Sequence, residues 1–468
     1  MNFFDRKYLP FITLFTVVFI SRLPFLSAGY GVEEDSWGIA LAAFHTKLSG
    51  IYEPSRFPGH PVQELIYSVL WGCGPVVFNG LCAFFSAIAT VFFSLILKQL
   101  NFQHFFIAAL AFAFIPVFYV SSTYTIDFVW TSAFILIAFY FLLNDQFLIV
   151  GIFLGLAVGC RVTSGAMLLP FMIISWQQEN IKTNVNRFFK IVAPMIVIVV
   201  ISFSPIIKQF GLSFFMYYDQ FPYPPMTKVI YKMTLGVFGT VGLFAIAICK
   251  GWIILNRKRE NFGALFQFKL GKKIIVASYA AVVLFIISYF RLPQKSGYMI
   301  SILPFVILLF GYFLNTRMFK FLCLSFILSS FVCSINLTDK LRGAAYSDHS
   351  VLFMVSGQEI FFDPFSGPVF SDYSKRLQKM KYTNDLIQKL KVINSKTVLI
   401  AGWWYNEIMV TMAPDFSNKL VILESYINSE KMNQYISDGY EIKYLPEQNI
   451  YNDLMFKINL TGKIAGSF

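Results

Sequence analysis

Three acids stand side by side at Glu33-Glu34-Asp35, followed by Ser36-Trp37. A carboxylate held at a surface can take a proton from a hydroxyl, so the run is a candidate general base. The same acids would also suit a helix N-terminus, where the dipole favours negative charge. The segment Ser55-Arg56-Phe57-Pro58-Gly59-His60-Pro61 comes next. Its prolines stiffen the backbone and could aim Arg56 and His60 at one point, or could only cap the following helix. Asp127 sits at a junction between apolar runs, as a site residue or as the cap of the run it precedes. Arg161 interrupts apolar sequence, where a charge is by default a functional candidate and an ion pair to Asp127 is the competing role. Last, Arg291-Leu292-Pro293-Gln294-Lys295-Ser296-Gly297-Tyr298 puts two cations and a Tyr in one short loop. Such a loop could clamp a phosphate, or its residues could snorkel at an interface.

Other chemistries are poorly supported. The four His are isolated and form no metal triad with neighbours in sequence. Acids alone could still bind a divalent ion, so metal dependence stays open. The six Cys lie in or beside apolar runs without a CxxC spacing, which reads as buried thiols.

The elements that must position these residues are membrane helices. The chain has 468 residues, of which 57 % are hydrophobic, 18 % aromatic and 13 % charged. Soluble proteins carry roughly a quarter charged residues. A soluble enzyme, a disordered chain and a fibre are therefore excluded, and the long apolar runs argue against a barrel. About eleven runs are candidate spans: Phe11–Leu26, Pro75–Leu97, Phe105–Val120, Phe128–Leu143, Phe147–Gly159, Gly165–Trp176, Ile191–Ile207, Thr234–Leu255, Ile274–Phe290, Met299–Leu314 and Phe321–Ile335. The pair around Arg161 reads as two short spans or one broken helix.

Charge places them. Asn336 onward holds 14 Lys and Arg against 14 Asp and Glu, so the whole excess of +13 lies in the first 335 residues. There it reads as loop charge that fixes topology, not as a nucleic-acid surface. Arg6 and Lys7, Lys98, Lys182, Arg187, Lys190, the Asn256–Lys273 loop, Arg317 and Lys320 all fall on the inner side of eleven crossings. The acids, Arg56, His60, the Arg291–Tyr298 loop and everything after Asn336 then lie outside. Residues 1–335 read as a transmembrane domain and 336–468 as a small extracytoplasmic α/β domain. Its expected strands are Thr397–Gly402, Leu420–Leu423 and Glu441–Leu445, with a helix at Ser429–Ile436. It has no Gly-rich phosphate loop, and Trp403-Trp404-Tyr405 could stack on a sugar or pack a core.

The order of these motifs resembles the C-type (GT-C) superfamily of integral membrane glycosyltransferases. An acidic motif after the first run, an Arg-Phe-Pro-Gly-His-Pro element, and a late Arg-Leu-Pro-x-Lys-x-x-Tyr loop with Pro304 downstream carry it. The nearest branches are the protein O-mannosyltransferases and aminoarabinose transferases, over roughly Phe11 to Ile335. The resemblance implies an all-α polytopic fold. It implies a polyprenyl-phosphate-linked sugar donor, and a glycan, lipid or protein acceptor. It implies a reaction on the extracytoplasmic face. Asp35 matches the family acid best, with Glu33 and Glu34 beside it; the family's usual pair is Asp-Glu or Asp-Asp, so which carboxylate acts is open. Asp127 is similar to a second acid, Arg161 to the basic residue ending a Gly-rich helix, and Arg291, Lys295 and Tyr298 to the phosphate-facing element. Arg56 would join them on the leaving phosphate, with His60 and Trp37 positioning substrate. The alternatives are a lipid-linked oligosaccharide polymerase or ligase, and a polytopic transporter or flippase. The last would place charge at the bilayer midplane and show repeats, which are not evident.

Overall fold

The computed structural model describes residues 8–177, 180–212, 223–256, 271–337, 350–355, 358–412, 418–445 and 468. Arg6, Lys7, Arg257, Lys258, Arg259, Lys269 and His349 lie outside the described residues.

The chain is mostly helical. Apolar runs fold as helices because a backbone without water must bond to itself. The first run is α1 (Leu9–Arg22). The acidic motif then opens α2 (Glu34–Ser49), and Pro61 opens α3 (Pro61–Val69). The next run is α4 (Gly74–Gln99). Pro116 divides the following one into α5 (Phe105–Phe114) and α6 (Pro116–Ser121), because the residue before a proline avoids the helical region. Then come α7 (Phe128–Leu143) and α8 (Phe147–Cys160). Arg161 is extended, with φ −158° and ψ 113°, and breaks the run before α9 (Leu168–Ser175). The remaining helices of this half are α10 (Ile181–Phe210), α11 (Met226–Met233), α12 (Leu235–Asn256), α13 (Gly271–Arg291), α14 (Leu303–Phe313) and α15 (Thr316–Ser329). The last expected span ends early: α15 stops at Ser329, and Ser334 and Ile335 belong to a strand.

Among the described residues, five helical stretches are long and apolar enough to cross a bilayer: Gly74–Gln99, Ile181–Phe210, Leu235–Asn256, Gly271–Arg291 and Ser296–Phe313. Shorter apolar helices pack among them. Their outward faces are strongly apolar; Ile196, Val197, Val200 and Ile201 of α10 are all exposed. Such a face is costly in water and natural in lipid. Inside, Trp130 is fully buried and stacks on Phe85 with centroids 3.9 Å apart, and Tyr67 stacks on Phe78 at 4.2 Å.

The helices share two ends. At one end Lys98 lies over the Phe11 ring, Gln99 bonds to the Leu143 carbonyl and Arg187 pairs with Asp145. Lys273 reaches the Trp176 carbonyl there, and His104 meets Thr316. At the other end Asn79 holds the Leu26 and Gly29 carbonyls, His60 meets the Cys160 carbonyl, and Gln209 bonds to the Tyr52 carbonyl. All the motif acids sit at this second end.

After Asn336 two small sheets form. Strand β1 (Ser334–Leu337) pairs antiparallel with β3 (Gln358–Asp363), which pairs antiparallel with β2 (Val351–Val355). The 24-residue α16 (Pro368–Lys391) follows. Then β4 (Thr397–Ile400), α17 (Tyr405–Met412), β5 (Val421–Glu424), α18 (Ser429–Ser437) and β6 (Glu441–Tyr444) build a parallel sheet of order β5-β4-β6. The three strands and the helix expected there are in place; the antiparallel sheet and α16 were not anticipated. Val398, Leu399 and Ile400 are fully buried, as a central strand covered on both faces must be.

Helix α8 carries Gly151, Gly155 and Gly159, four residues apart, where it packs on α10. A Cβ at Gly151 would stand 2.2 Å from the Ile191 carbonyl oxygen and 2.4 Å from Pro194 Cγ. Small residues at this spacing let helix backbones approach. Gly151→Val is therefore expected to destabilise the fold by about 1–3 kcal/mol. Gly251→Ala, where a Cβ would meet nothing within 4 Å, should be neutral. Thermal unfolding of both variants in nanodiscs checks the pair.

Candidate functional site

The acidic loop is held from below before any charge is considered. Asn79 of α4 donates to the Leu26 and Gly29 carbonyls, both at 2.8 Å, and accepts from Thr125 Oγ1 at 2.8 Å. The Thr125 amide donates to the Tyr30 carbonyl at 2.9 Å. Trp37 is buried, and its indole N–H donates to the Gly31 carbonyl at 2.9 Å. Trp37 thus shapes the loop from within. Glu34 and Asp35 also occupy the first turn of α2, so the dipole reading of these acids holds alongside any other.

The second segment is anchored by Glu64, which is 1 % exposed. Its carboxylate accepts from the His60 amide at 2.9 Å and the Ser55 amide at 3.0 Å, and from the Ser55 and Tyr52 hydroxyls. A carboxylate that reaches back to the start of its own helix is the logic of a capping box. The Phe57–Pro58 peptide is cis. The loop so formed carries Arg56 and His60 to the acids.

Charges then meet in one chain. Arg56 pairs with Asp35 at 2.8 Å and with Asp127 at 3.1 Å. Arg161 pairs with the other Asp127 oxygen at 2.8 Å. Lys295 pairs with Glu33 at 2.5 Å and with Asp35. The guanidinium of Arg161 also lies over Tyr298, 4.2 Å from the ring centroid, and over Phe128 at 4.8 Å. His60 is buried and bonds through Nδ1 to the Cys160 carbonyl at 2.6 Å, with Asp127 at 3.7 Å. Its Nε2 is buried without a hydrogen-bond partner among the described residues.

Sequence-distant candidates therefore converge: Glu33, Asp35, Arg56, His60, Asp127, Arg161, Lys295 and Tyr298 form one cluster, with Trp37 supporting it. Glu34 is half-buried on the first turn of α2 beside them. Arg291 is not brought in. It is exposed at the end of α13 and makes no ion pair among the described residues. Asp127 does not cap α7 with its side chain; its carboxylate is spent on cations instead. Of the two roles open to Arg161, the pair with Asp127 is formed. Among the described residues no group of His, Cys, Asp and Glu is arranged to hold a metal ion.

Electrostatics separate the groups. Burial alone would raise the Asp35 carboxyl, but Arg56 and Lys295 outweigh it and hold it well below the usual carboxylate range. Burial would lower the Lys295 ammonium, yet Asp35 and Glu33 raise it. Burial pushes the His60 imidazole below its ordinary value against the pull of Asp127, so it is neutral near pH 7. The cluster holds three carboxylates, Glu33, Asp35 and Asp127, against three cations, Arg56, Arg161 and Lys295.

Several residues that build the site carry no motif. Glu64 and Asn79 are two; an acid just inside a proline-opened helix was the readable signal for Glu64. Three more come from the C-terminal part. Lys379 of α16 donates to the Val32 carbonyl at 3.0 Å and pairs with buried Glu407 at 2.9 Å. Arg376 is buried and donates to the Phe25 and Thr123 carbonyls, both at 3.0 Å. Trp404 is buried and packs on Tyr382 at 4.6 Å, so that ring of the Trp403-Trp404-Tyr405 cluster belongs to the core.

Two outcomes follow from this geometry. Asp127→Asn leaves the half-buried Arg56 and Arg161 without their shared carboxylate, and should cost about 1–3 kcal/mol of stability. Adding Arg161→Met to it should cost less than the sum of the single changes, measured as a double-variant cycle of unfolding midpoints. For Asp35 the folded-state value is depressed. Its contribution is thus complete above the unfolded value of about 3.9 and lost as pH falls toward the depressed one. The gap in melting temperature between the wild type and Asp35→Asn should stay level from about pH 8 to 5 and shrink only below about pH 4. No family model, curated protein or solved structure matches this chain, so the chemistry must be read from this geometry itself.

Proposed function

We propose that the chain is an integral membrane glycosyltransferase of the C-type kind, moving a sugar from a polyprenyl-phosphate donor to an acceptor hydroxyl. The observation that carries this is the convergence of the acidic loop, the Arg56–His60 loop, Asp127, Arg161 and Lys295–Tyr298 at one end of the helices. The reaction needs a carboxylate base to take the acceptor proton and cations to stabilise the leaving phosphate, and the cluster supplies both.

The step is a displacement at the anomeric carbon, with inversion. The acceptor oxygen forms the new bond to C1 and the C1–O(phosphate) bond breaks. Its electron pair stays on the phosphate, and the acceptor proton goes to a carboxylate of the acidic loop. Lys295 is the cation best disposed to meet the phosphate, because its partners Glu33 and Asp35 remain partly accessible, 26 % and 21 % exposed at the side chain. Preorganised charge in a site with little water contributes most of such catalysis.

The sidedness of the reading rests on the two helix ends. Lys98, Lys182, Arg187, Lys190, Lys272, Lys273, Arg317 and Lys320 all belong to the end away from the cluster. By the positive-inside rule that end would be cytoplasmic and the cluster extracytoplasmic. The two sheets and α16 then lie outside with the site. A polymerase or ligase of lipid-linked sugars would use similar groups, and differs by the length of its product.

The test is turnover in nanodiscs with a panel of radiolabelled polyprenyl-phosphate hexoses and pentoses, read as release of polyprenyl phosphate. At least one donor should be consumed. Lys295→Met should lower the rate by about 10²–10³-fold. Full activity in a folded Lys295→Met protein, or no turnover of any donor, would refute the reading.

A further inference from the structure

A chamber of about 260 Å³ opens directly beside the ionic cluster. One wall is α16, through Ser371, Asp372 and Lys375. The opposite wall is the end of α6 and the first turns of α12, and Glu33 with Lys295 closes the side toward the cluster. Asp35, Arg56, Asp127 and Arg161 do not line it. Helix α12 can form its wall because it bends at Gly239, whose φ of +67° suits glycine. A Cβ there would also stand 2.4 Å from Ser329 Oγ.

The lining alternates in chemistry. Lys375 donates to Asn336 Oδ1 at 3.2 Å, and Asn336 donates to Ser371 Oγ at 3.3 Å. Asp372 faces Arg376 at 2.9 Å and keeps its side chain 18 % exposed. Burial, together with Glu33 across the chamber, raises its carboxyl. The floor is apolar, from Pro116, Val117, Val120, Phe128 and Leu235. A chamber for phosphate alone would present cations without facing acids. A chamber for a lipid tail would lack the polar wall. Donors and acceptors interleaved on one wall, above an apolar floor, suit a sugar ring, whose hydroxyls both donate and accept and whose C–H face is apolar. The volume lies just under the roughly 300–1,000 Å³ of ligand pockets, which admits one ring rather than a chain of them.

The geometry points to this chamber as the binding site of a monosaccharide-sized polyol, the acceptor end of the reaction, with Asp372 and Lys375 of α16 as its selective contacts. The assignment rests on the transferase reading for the word acceptor, but not for the binding. It makes Glu33, the one acid of the run that lines the chamber, the carboxylate of the acidic loop nearest a bound hydroxyl. It also makes the C-terminal part of the chain a component of the site.

The test is binding, with no donor present. Saturation-transfer NMR on the full chain in nanodiscs uses methyl glucopyranoside, methyl mannopyranoside and methyl galactopyranoside as probes, with inorganic phosphate as competitor. At least one glycoside should show transfer to its ring protons. Ser371→Trp should fill the chamber and abolish it, and Lys375→Met, which keeps the Asp372–Arg376 pair, should weaken it about tenfold. No transfer to any glycoside, transfer that both variants leave intact, or displacement by phosphate at lower concentration than the glycoside needs would each overturn the proposal. Glycoside binding without any donor turnover would sink the transferase reading and leave the chamber. Donor turnover onto an acceptor that Ser371→Trp leaves unchanged would sink the chamber and leave the reading.

Discussion

A fully buried carboxylate, Asp127, dictates much of this molecule. A lone charge at that depth is costly, so the fold must bring cations to it. Arg56 and Arg161 come from opposite sides in sequence, 71 and 34 residues away. To deliver Arg161, α8 must end at Cys160 and the chain must extend for one residue before the 3-10 turn Val162–Met167 that leads into α9. To deliver Arg56, the Tyr52–His60 loop must be folded tightly, which Glu64 does. The break in the helical run and the stiff proline loop are both consequences of satisfying one carboxylate.

The second constraint is the clamp from α16. Arg376 and Lys379 hand their charges to backbone carbonyls at Phe25, Thr123 and Val32, the turns that flank the acidic loop. Hydrogen bonds from a charged donor are stronger than neutral ones. Each of these cations is also paired with an acid, Arg376 with Asp372 and Lys379 with Glu407, so neither is stranded. The position of Glu33 is therefore set jointly by α4 below, through Asn79, and by α16 beyond, through Lys379. Membrane helices and C-terminal elements share one polar framework.

Much of the helical half was legible, because a bilayer leaves few choices. The run Phe128–Leu143 was bounded as the helix is, and the end of α8 at Arg161 was visible as a charge among glycines. The parallel strands were legible from short aliphatic runs between turns. What could not be read depends on partners far away in sequence. Strand β1 is made from the tail of an apolar run, and only its pairing with Gln358–Asp363 turns Ser334 and Ile335 from helix to sheet. Helix α16 reads as a solvated, lysine-rich stretch, yet Arg376 is buried because carbonyls 253 and 351 residues away accept its protons. In the site, residue types announced Asp35, Arg56, Asp127, Arg161 and Lys295. Nothing local announced Asn79, or that Arg291 would point away while its neighbour Lys295 turned in.

The cluster is balanced, three acids against three cations, and that balance limits how a phosphate can enter. An anion arriving at Arg161 would have to displace Asp127, leaving a fully buried carboxylate with only one of its two arginines. An anion arriving at Lys295 displaces Glu33 or Asp35, both still reached by water and, for Asp35, still held by Arg56. The exchange is least costly at Lys295. Once Lys295 turns to an incoming phosphate, Glu33 loses the cation that stabilises its ionised form and becomes a better proton acceptor. In the proposed transfer, a single lysine shared between two acids would couple neutralising the leaving group to activating the base, with Asp127 and its arginines fixed as the frame around them.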